Sequence, residues 1–219
     1  MKKYLNLLSK TVLFQGIPED VILLIATSRC CHTKTFPAGR TIYESGQHIR
    51  HLGVVLEGTI DIVHTSSSGH DTIVSRLTPG SLLGESFSCA GEANAYNDVR
   101  SITGSALLMM DVPMLLHGQA CLGNYHLKLI ENIMHCLAKS NIWLNTKILL
   151  LTQKTLRDKL LTYFEILAAK NTSREFVIPF HREQLANFLG SERSSVSREL
   201  SRMQEEGILT IERDYVVLL

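Results

Sequence analysis

The sequence predicts an α+β chain with a β-rich N-terminal domain, one long helix and a C-terminal winged helix-turn-helix. Three observations predict it. Between Thr33 and Met110 glycines punctuate the chain at Gly39, Gly46, Gly53, Gly58, Gly69, Gly80, Gly84, Gly91 and Gly104, with short β-prone runs between them. From Tyr125 to Gln153 there is neither proline nor glycine, and apolar residues recur in steps of four and three. From Phe180 to Leu209 two short amphipathic stretches flank Gly190.

The N-terminal segment reads as a short helix at Leu13-Phe14, a turn over Gly16-Ile17-Pro18, and a second helix through Thr27 with Glu19 and Asp20 at its positive end. The runs Leu52–Leu56, Thr59–Val63, Thr72–Val74 and Ala106–Met110 are short strands at close turn spacing, the mark of a sandwich, barrel or roll. In the long helix, Ile130, Met134, Leu137, Asn141, Leu144, Ile148 and Leu151 repeat every 3.5 residues on average, a coiled-coil seam. A buried Asn141 on that seam would fix register and favour a two-stranded homodimer. The same helix could instead pack a broad stripe, widened by Ile133, Ile142 and Trp143, on its own β domain, and the two readings are compatible. The helix should break near Gln153-Lys154. A further helix, Leu156 to Ala169, then turns Leu160, Leu161, Phe164 and Leu167 inward, and Arg174 to Phe180 is extended.

The helix-turn-helix follows. Leu185 and Leu189 share one face of its first helix, and Val196, Leu200 and Met203 share one face of its second. Gly190 supplies the left-handed turn between them, and the small Ala186 lets the second helix cross closely. At about 100° per residue, Ser194, Ser197, Arg198 and Ser201 fall opposite the apolar face, flanked by Arg193 and Arg202. Short hydroxyls let a helix enter a major groove, and an arginine fork bonds guanine O6 and N7 together. Ile208–Ile211 and Tyr215–Leu218 then form a hairpin wing, with Arg213 at its tip as a phosphate contact.

Composition sets limits on this reading. The 219 residues are 45% hydrophobic, enough for two modest cores, and divide as 1–123, 124–153 and 154–219 into β domain, dimerisation helix with hinge, and reading domain. The formal charge is +1, and from Lys154 onward ten Lys and Arg meet ten Asp and Glu. Nucleic-acid binding therefore rests on where the charges stand, and the best rival is a ligand-binding or redox-responsive module that docks on protein. Five irregularly spaced cysteines argue against a disulfide framework and for a reducing compartment. The start, MKKYLNLLSKTVLF, lacks a signal-peptide core, and the apolar run Val21–Ala26 is far too short to span a bilayer. A cytoplasmic chain with no membrane partner is expected. No nucleophile-base-acid set and no metal-ligand spacing appears, so no catalytic or metal residue is assigned.

These motifs resemble a known family. Phe36-Pro-Ala-Gly39, Val54-Val-Leu-Glu-Gly58 and Leu77-Thr-Pro-Gly80-Ser-Leu-Leu-Gly84-Glu85 resemble the cyclic-nucleotide-binding β-roll. The stretch around Gly190 resembles the helix-turn-helix of the family named for the cyclic-AMP receptor protein and the fumarate-nitrate reductase regulator (CRP/FNR). The resemblance implies a homodimeric transcription regulator that binds double-stranded DNA at an inverted-repeat operator, with RNA polymerase as a further partner. It keeps arginine at Arg193 and Arg198 but puts Ser194 where the family often has glutamate, so the operator should differ from the best-known consensus.

The resemblance also implies an effector pocket at Gly84, Glu85, Ala95, Tyr96 and Asn97, with Asn141 reaching it from the dimerisation helix. Ala95 stands where the family's phosphate-binding arginine should be, and Glu92 and Asp98 add negative charge nearby. An unpaired phosphate there would be costly, which disfavours cyclic AMP; only Arg100, in a shifted register, could replace the missing cation. An iron-sulfur cluster is disfavoured because Cys30 and Cys31 are adjacent. A haem held by His64, His70, His117 or His135, and redox sensing at Cys89, stay open, as does a bland role for Glu85 at a turn.

Overall fold

The computed structural model describes residues 1–91, 94–117 and 125–219, apart from the side chains of Leu116 and His117. The chain forms two compact units, Met1–Lys139 and Ser140–Leu219. The sequence-based boundary at 123/124 lies outside the described residues.

The first unit holds two four-stranded antiparallel sheets, ordered β1-β8-β3-β6 and β2-β7-β4-β5. Their strands are β1 (Cys31–Phe36), β2 (Thr41–Tyr43), β3 (His51–Glu57), β4 (Ile60–Thr65), β5 (Asp71–Leu77), β6 (Leu82–Leu83), β7 (Asp98–Ser101) and β8 (Ser105–Asp111). The runs picked out in the sequence are β3, β4, β5 and β8. Strand β8 is buried along its whole length because both of its faces are covered. Leu107 and Met109 join Val55, Ile60, Val99 and Phe36 in a cluster drawn from both sheets. The alternate residues Ala106, Leu108 and Met110 meet the N-terminal segment through Leu8, Leu13, Phe14, Ile22 and Ile25. Strand β1 has no apolar alternation, since only its ends, Cys31 and Phe36, are buried. Its six-residue register with β8 gives it its place, and no local pattern announces it.

The long helix runs His126–Leu151, about 39 Å at 1.5 Å per residue. Leu129, Ile133 and Cys136 are buried, and Leu137 packs partly against the core of the first unit. Asn132 is buried too, and its Nδ2 donates to the carbonyls of Leu13 and Gln15 at 2.9 Å each. His126 Nε2 lies 2.6 Å from the Leu115 carbonyl. Leu129 and Ile133 thus pack on the first unit's own core, while another stripe of the helix stays uncovered in the single chain. Met134, Ile142, Leu144, Ile148 and Leu151 stay 43–66% exposed. Ile130 is half-buried, and Asn141 is exposed.

The second unit is built around a scaffold helix (Leu156–Asn171), capped where the Thr155 hydroxyl accepts from the Asp158 backbone N–H. Leu160, Tyr163, Phe164 and Leu167 face one core with Leu150, Phe176, Ile178 and Phe188. The hairpin of β10 (Leu209–Glu212) and β11 (Tyr215–Leu218) forms as expected. The extended segment before the helix-turn-helix supplies β9 (Glu175–Val177), which pairs with β11 and completes a three-stranded sheet.

Gly58 shows how tightly the roll is closed. It holds φ +86°, and a Cβ there would sit 2.5 Å from the Gly104 carbonyl and 2.6 Å from Ser105 Oγ. Gly69 has a similar φ of +81° with nothing within 4 Å. Gly69→Ala should cost about 1 kcal/mol of stability in urea denaturation and Gly58→Ala at least about 2 kcal/mol more, the difference reporting the clash alone.

Candidate nucleic-acid interface

The helix-turn-helix consists of a first helix (Arg182–Phe188), a turn, and a recognition helix (Arg193–Glu205). The turn is set by local bonds. Gly190 takes φ +61°, the Ser191 N–H donates to the Ala186 carbonyl at 2.9 Å, and Lys159 Nζ donates to the Leu189 carbonyl at 3.1 Å. Ala186 is 1% exposed, small enough for the close approach of the next helix.

Burial orients the recognition helix. Val196, Leu200 and Met203 are at most 2% exposed and pack with Leu185 and Leu189. The helix is rigid, so the residues half a turn away face outward. Arg193, Ser194, Ser197, Arg198, Ser201 and Arg202 are all exposed. Arg198 Nε reaches back to the Ser194 carbonyl at 3.4 Å, and Arg202 Nη1 lies 3.6 Å from Glu199 Oε2. Among the described residues neither Arg193 nor Arg198 is held in an ion pair, so both forks are free to meet an anion or a base edge.

Glu199 of this helix and Glu206, its C-cap, are occupied elsewhere, while Glu205 is exposed. Glu199 and Glu206 both bond Arg157 of the scaffold helix, and Arg157 holds the Glu206 carboxyl below its ordinary value. The domain's even charge balance therefore conceals a local excess of uncommitted arginine on one face. At the wing, Arg213 is exposed at φ +53°. Arg182 Nη2 donates to its carbonyl at 2.7 Å, and the Ile178 N–H donates to the Asp214 carbonyl at 2.7 Å. The wing tip is thereby braced against the start of the first helix. Arg157, Lys159 and Arg182 were not singled out in the sequence; a cation in the first turn of a helix, as Arg157 is, was the one available signal.

The effector residues are placed differently from one another. Gly84 has φ +73°, and a Cβ there would lie 2.7 Å from Ile49 Cγ2. Glu85 begins a short helix (Glu85–Ala90), a position that suits its charge without any ligand. Ala95 is 4% exposed and belongs to the core between the sheets, its N–H bonded to the Gln47 carbonyl at 2.9 Å. Tyr96 is 77% exposed against the edge of Phe87, and Asn97 Oδ1 meets His64 Nδ1 at 3.1 Å. Asn141, in the second unit, accepts from Asn145 Nδ2 at 2.8 Å. Glu92 lies outside the described residues.

Arg100 is already paired. It alternates with the buried Val99 and Ser101, and it is committed to Asp71 and Asp98, the latter at 2.7 Å. Burial pushes the thiols of Cys89 and Cys136 up, leaving little thiolate at neutral pH. Among the described residues no group of three or more His, Cys, Asp or Glu is set to hold a metal. His117's side chain lies outside them. An open groove of about 400 Å³ lies along Lys34, Phe36, Arg40, Ile42, Glu44 and Gln47, and it borders Ala95 through the Gln47 carbonyl.

Two family models match the chain. Residues 33–117 match the cyclic nucleotide-binding domain, and residues 149–219 match the Crp-like helix-turn-helix domain. Among curated proteins, the transcriptional activator protein FnrL of Cereibacter sphaeroides is 26% identical over 190 residues, 82% of this chain and 73% of its own length. The regulatory protein HlyX of Actinobacillus pleuropneumoniae is 24% identical over 190 residues, 84% of this chain and 77% of its own. Among solved structures, the catabolite activator protein of Thermus thermophilus matches with TM-score 0.55 at 22% identity, covering 95% of this chain and 94% of its own. The c-di-GMP responsive global regulator CLP of Xanthomonas campestris matches with TM-score 0.56 at 18% identity, covering 92% and 99%. These two structures share the fold.

The turn yields a direct check. A β-branched residue at φ +61°, with its Cβ 3.2 Å from Leu151 Cδ2, is strained twice over. Gly190→Val should lower stability in urea by about 2 kcal/mol or more, and an unchanged midpoint would show that the turn has other conformations open to it.

Proposed function

Because the chain belongs to the CRP/FNR family of DNA-binding transcription regulators, we propose that it reads an inverted-repeat operator as a homodimer through the outward face of its recognition helix. The observation that carries this reading is the opposition of faces. Val196, Leu200 and Met203 are buried, which leaves Arg193, Ser194, Ser197, Arg198, Ser201 and Arg202 turned to solvent. Arg193 and Arg198 are the base readers, the serines assist them and bond phosphate, and Arg213 grips the backbone from the wing. A serine at position 194 donates or accepts, so the base beneath it is read less strictly than a carboxylate would read it.

The dimer reading is supported by the exposed apolar stripe of the long helix. Met134, Leu144 and Ile148 are each more than half exposed, a costly arrangement for a lone chain and a natural one for a paired seam. A two-fold pair would set two recognition helices in successive major grooves, about 34 Å apart. Control passes to an effector other than cyclic AMP, in a cytoplasmic setting. The support is Ala95 lodged in an apolar core and Arg100 tied to two aspartates, so neither position offers a free cation to a cyclic phosphate. The raised thiols of Cys89 and Cys136 favour a small molecule over a thiolate switch at those positions. Contact with RNA polymerase belongs to the same proposal.

Two measurements test it. With a duplex selected from a random pool, Arg198→Ala should lose about 1–3 kcal/mol of discrimination at one base pair of each half-site, relaxing specificity there. Unchanged affinity and preference would defeat the assignment. Leu144→Glu combined with Ile148→Glu should yield monomers by sedimentation at concentrations where the wild type is dimeric, and a persisting dimer would place the interface elsewhere.

A further inference from the structure

Arg157 stands against a local rule. It is the second residue of the scaffold helix, at the positive end of the helix dipole, where a cation is disfavoured. One of its partners is misplaced in the opposite sense: Glu206 is the C-cap of the recognition helix, at the negative end, while Glu199 lies about two turns before it on the same side, in the middle of the helix.

One guanidinium reconciles all three. Arg157 Nε donates to Glu199 Oε1 at 2.6 Å, Nη1 to Glu206 Oε2 at 2.7 Å, and Nη2 to Glu206 Oε1 at 2.9 Å. The grip on Glu206 is bidentate, a geometry that a lysine cannot reproduce. The Glu199 side chain is 15% exposed, so this is the better shielded of the two contacts. Within the same unit, Lys159 adds a second tie from the scaffold helix to the turn at Leu189.

We propose that Arg157 is a positioning residue for DNA reading: it bolts the recognition helix to the first turn of the scaffold helix, just past the break at 152–155, so that the break and the reading face turn as one body. It also neutralises two carboxylates on the helix that must approach phosphate. Arg157 touches neither base nor backbone. Its effect is exerted through the pitch and register of Arg193 and Arg198, where displacements of about 0.5 Å already matter. This inference rests on the DNA-reading function above.

The test uses the full chain and a duplex selected by the wild type from a random-sequence pool. Arg157→Gln should weaken binding to that duplex about tenfold or more while its salt slope stays that of the wild type. Glu199→Gln combined with Glu206→Gln should weaken it comparably, although that change removes two negative charges and simple electrostatics predicts tighter binding. The triple variant should lose no more than either, because the three groups act as a unit. Circular dichroism at the assay temperature checks folding. If Arg157→Gln is unfolded there, Arg157→Lys serves instead, keeping the charge without the fork, and should still weaken binding severalfold.

A glutamine pair that binds as tightly as the wild type, or tighter, overturns the proposal. So do losses that add, and so does a slope reduced by about 0.9, which would make Arg157 a phosphate contact. A wild type that selects no sequence at all defeats the DNA-reading function itself and this inference with it, whereas a selective wild type with an equally selective Arg157→Gln defeats only the inference.

Discussion

The burial of Val196, Leu200 and Met203 decides which way the recognition helix faces. A helix has no freedom to rotate its polar side independently of its apolar side. Once those three side chains are fixed among Leu185, Leu189 and the aromatic group of Tyr163, Phe164 and Phe188, the exposure of Arg193, Ser194, Ser197 and Arg198 follows. The rest of the second unit serves this orientation. The left-handed turn at Gly190 sets the crossing, the Thr155 cap starts the scaffold helix, and the three-stranded sheet carries Arg213 at a tip braced by Arg182. Reading chemistry here needs little net charge, because acids and bases are sorted in space: Glu199 and Glu206 turn to Arg157, while among the described residues Arg193 and Arg198 are held in no ion pair.

The interior of the roll in the first unit is packed by its own side chains. Side chains from both sheets fill the space between them, with Ala95 among Ile42, Tyr43, Val99 and Leu107. The charged residues lie on the outer side of the second sheet, where Asp61 is held bidentately by Arg76 at 2.7 Å and Arg100 by Asp71 and Asp98. This arrangement stabilises the sheet and leaves its cations unavailable to a ligand phosphate.

Much of this was legible in the sequence because it is local. Glycine at a left-handed turn, a 3.5-residue repeat and an apolar triplet at helical spacing each follow from backbone geometry within a dozen residues, and they located the helix-turn-helix, the wing and the long helix. What was not legible depends on partners far along the chain. Strand β1 reads His-Thr-Lys-Thr and becomes a strand only through β8, and β9 is too short to carry a pattern. The two readings of the long helix could not be separated from its sequence, since Leu129 and Ile133 pack on the roll while Leu144 and Ile148 stay open. Arg157 finds its carboxylates 42 and 49 residues away, a distance at which no motif is visible.

The central claim is that one outward helix face is presented twice by a two-fold pair. Hydroxyl-radical footprinting of the wild type on its selected duplex measures this most directly. Two equivalent windows related by a dyad, with centres about 10–10.5 base pairs or a multiple apart, are what the account predicts. A single unpaired window, or protection without any repeat symmetry, would contradict it.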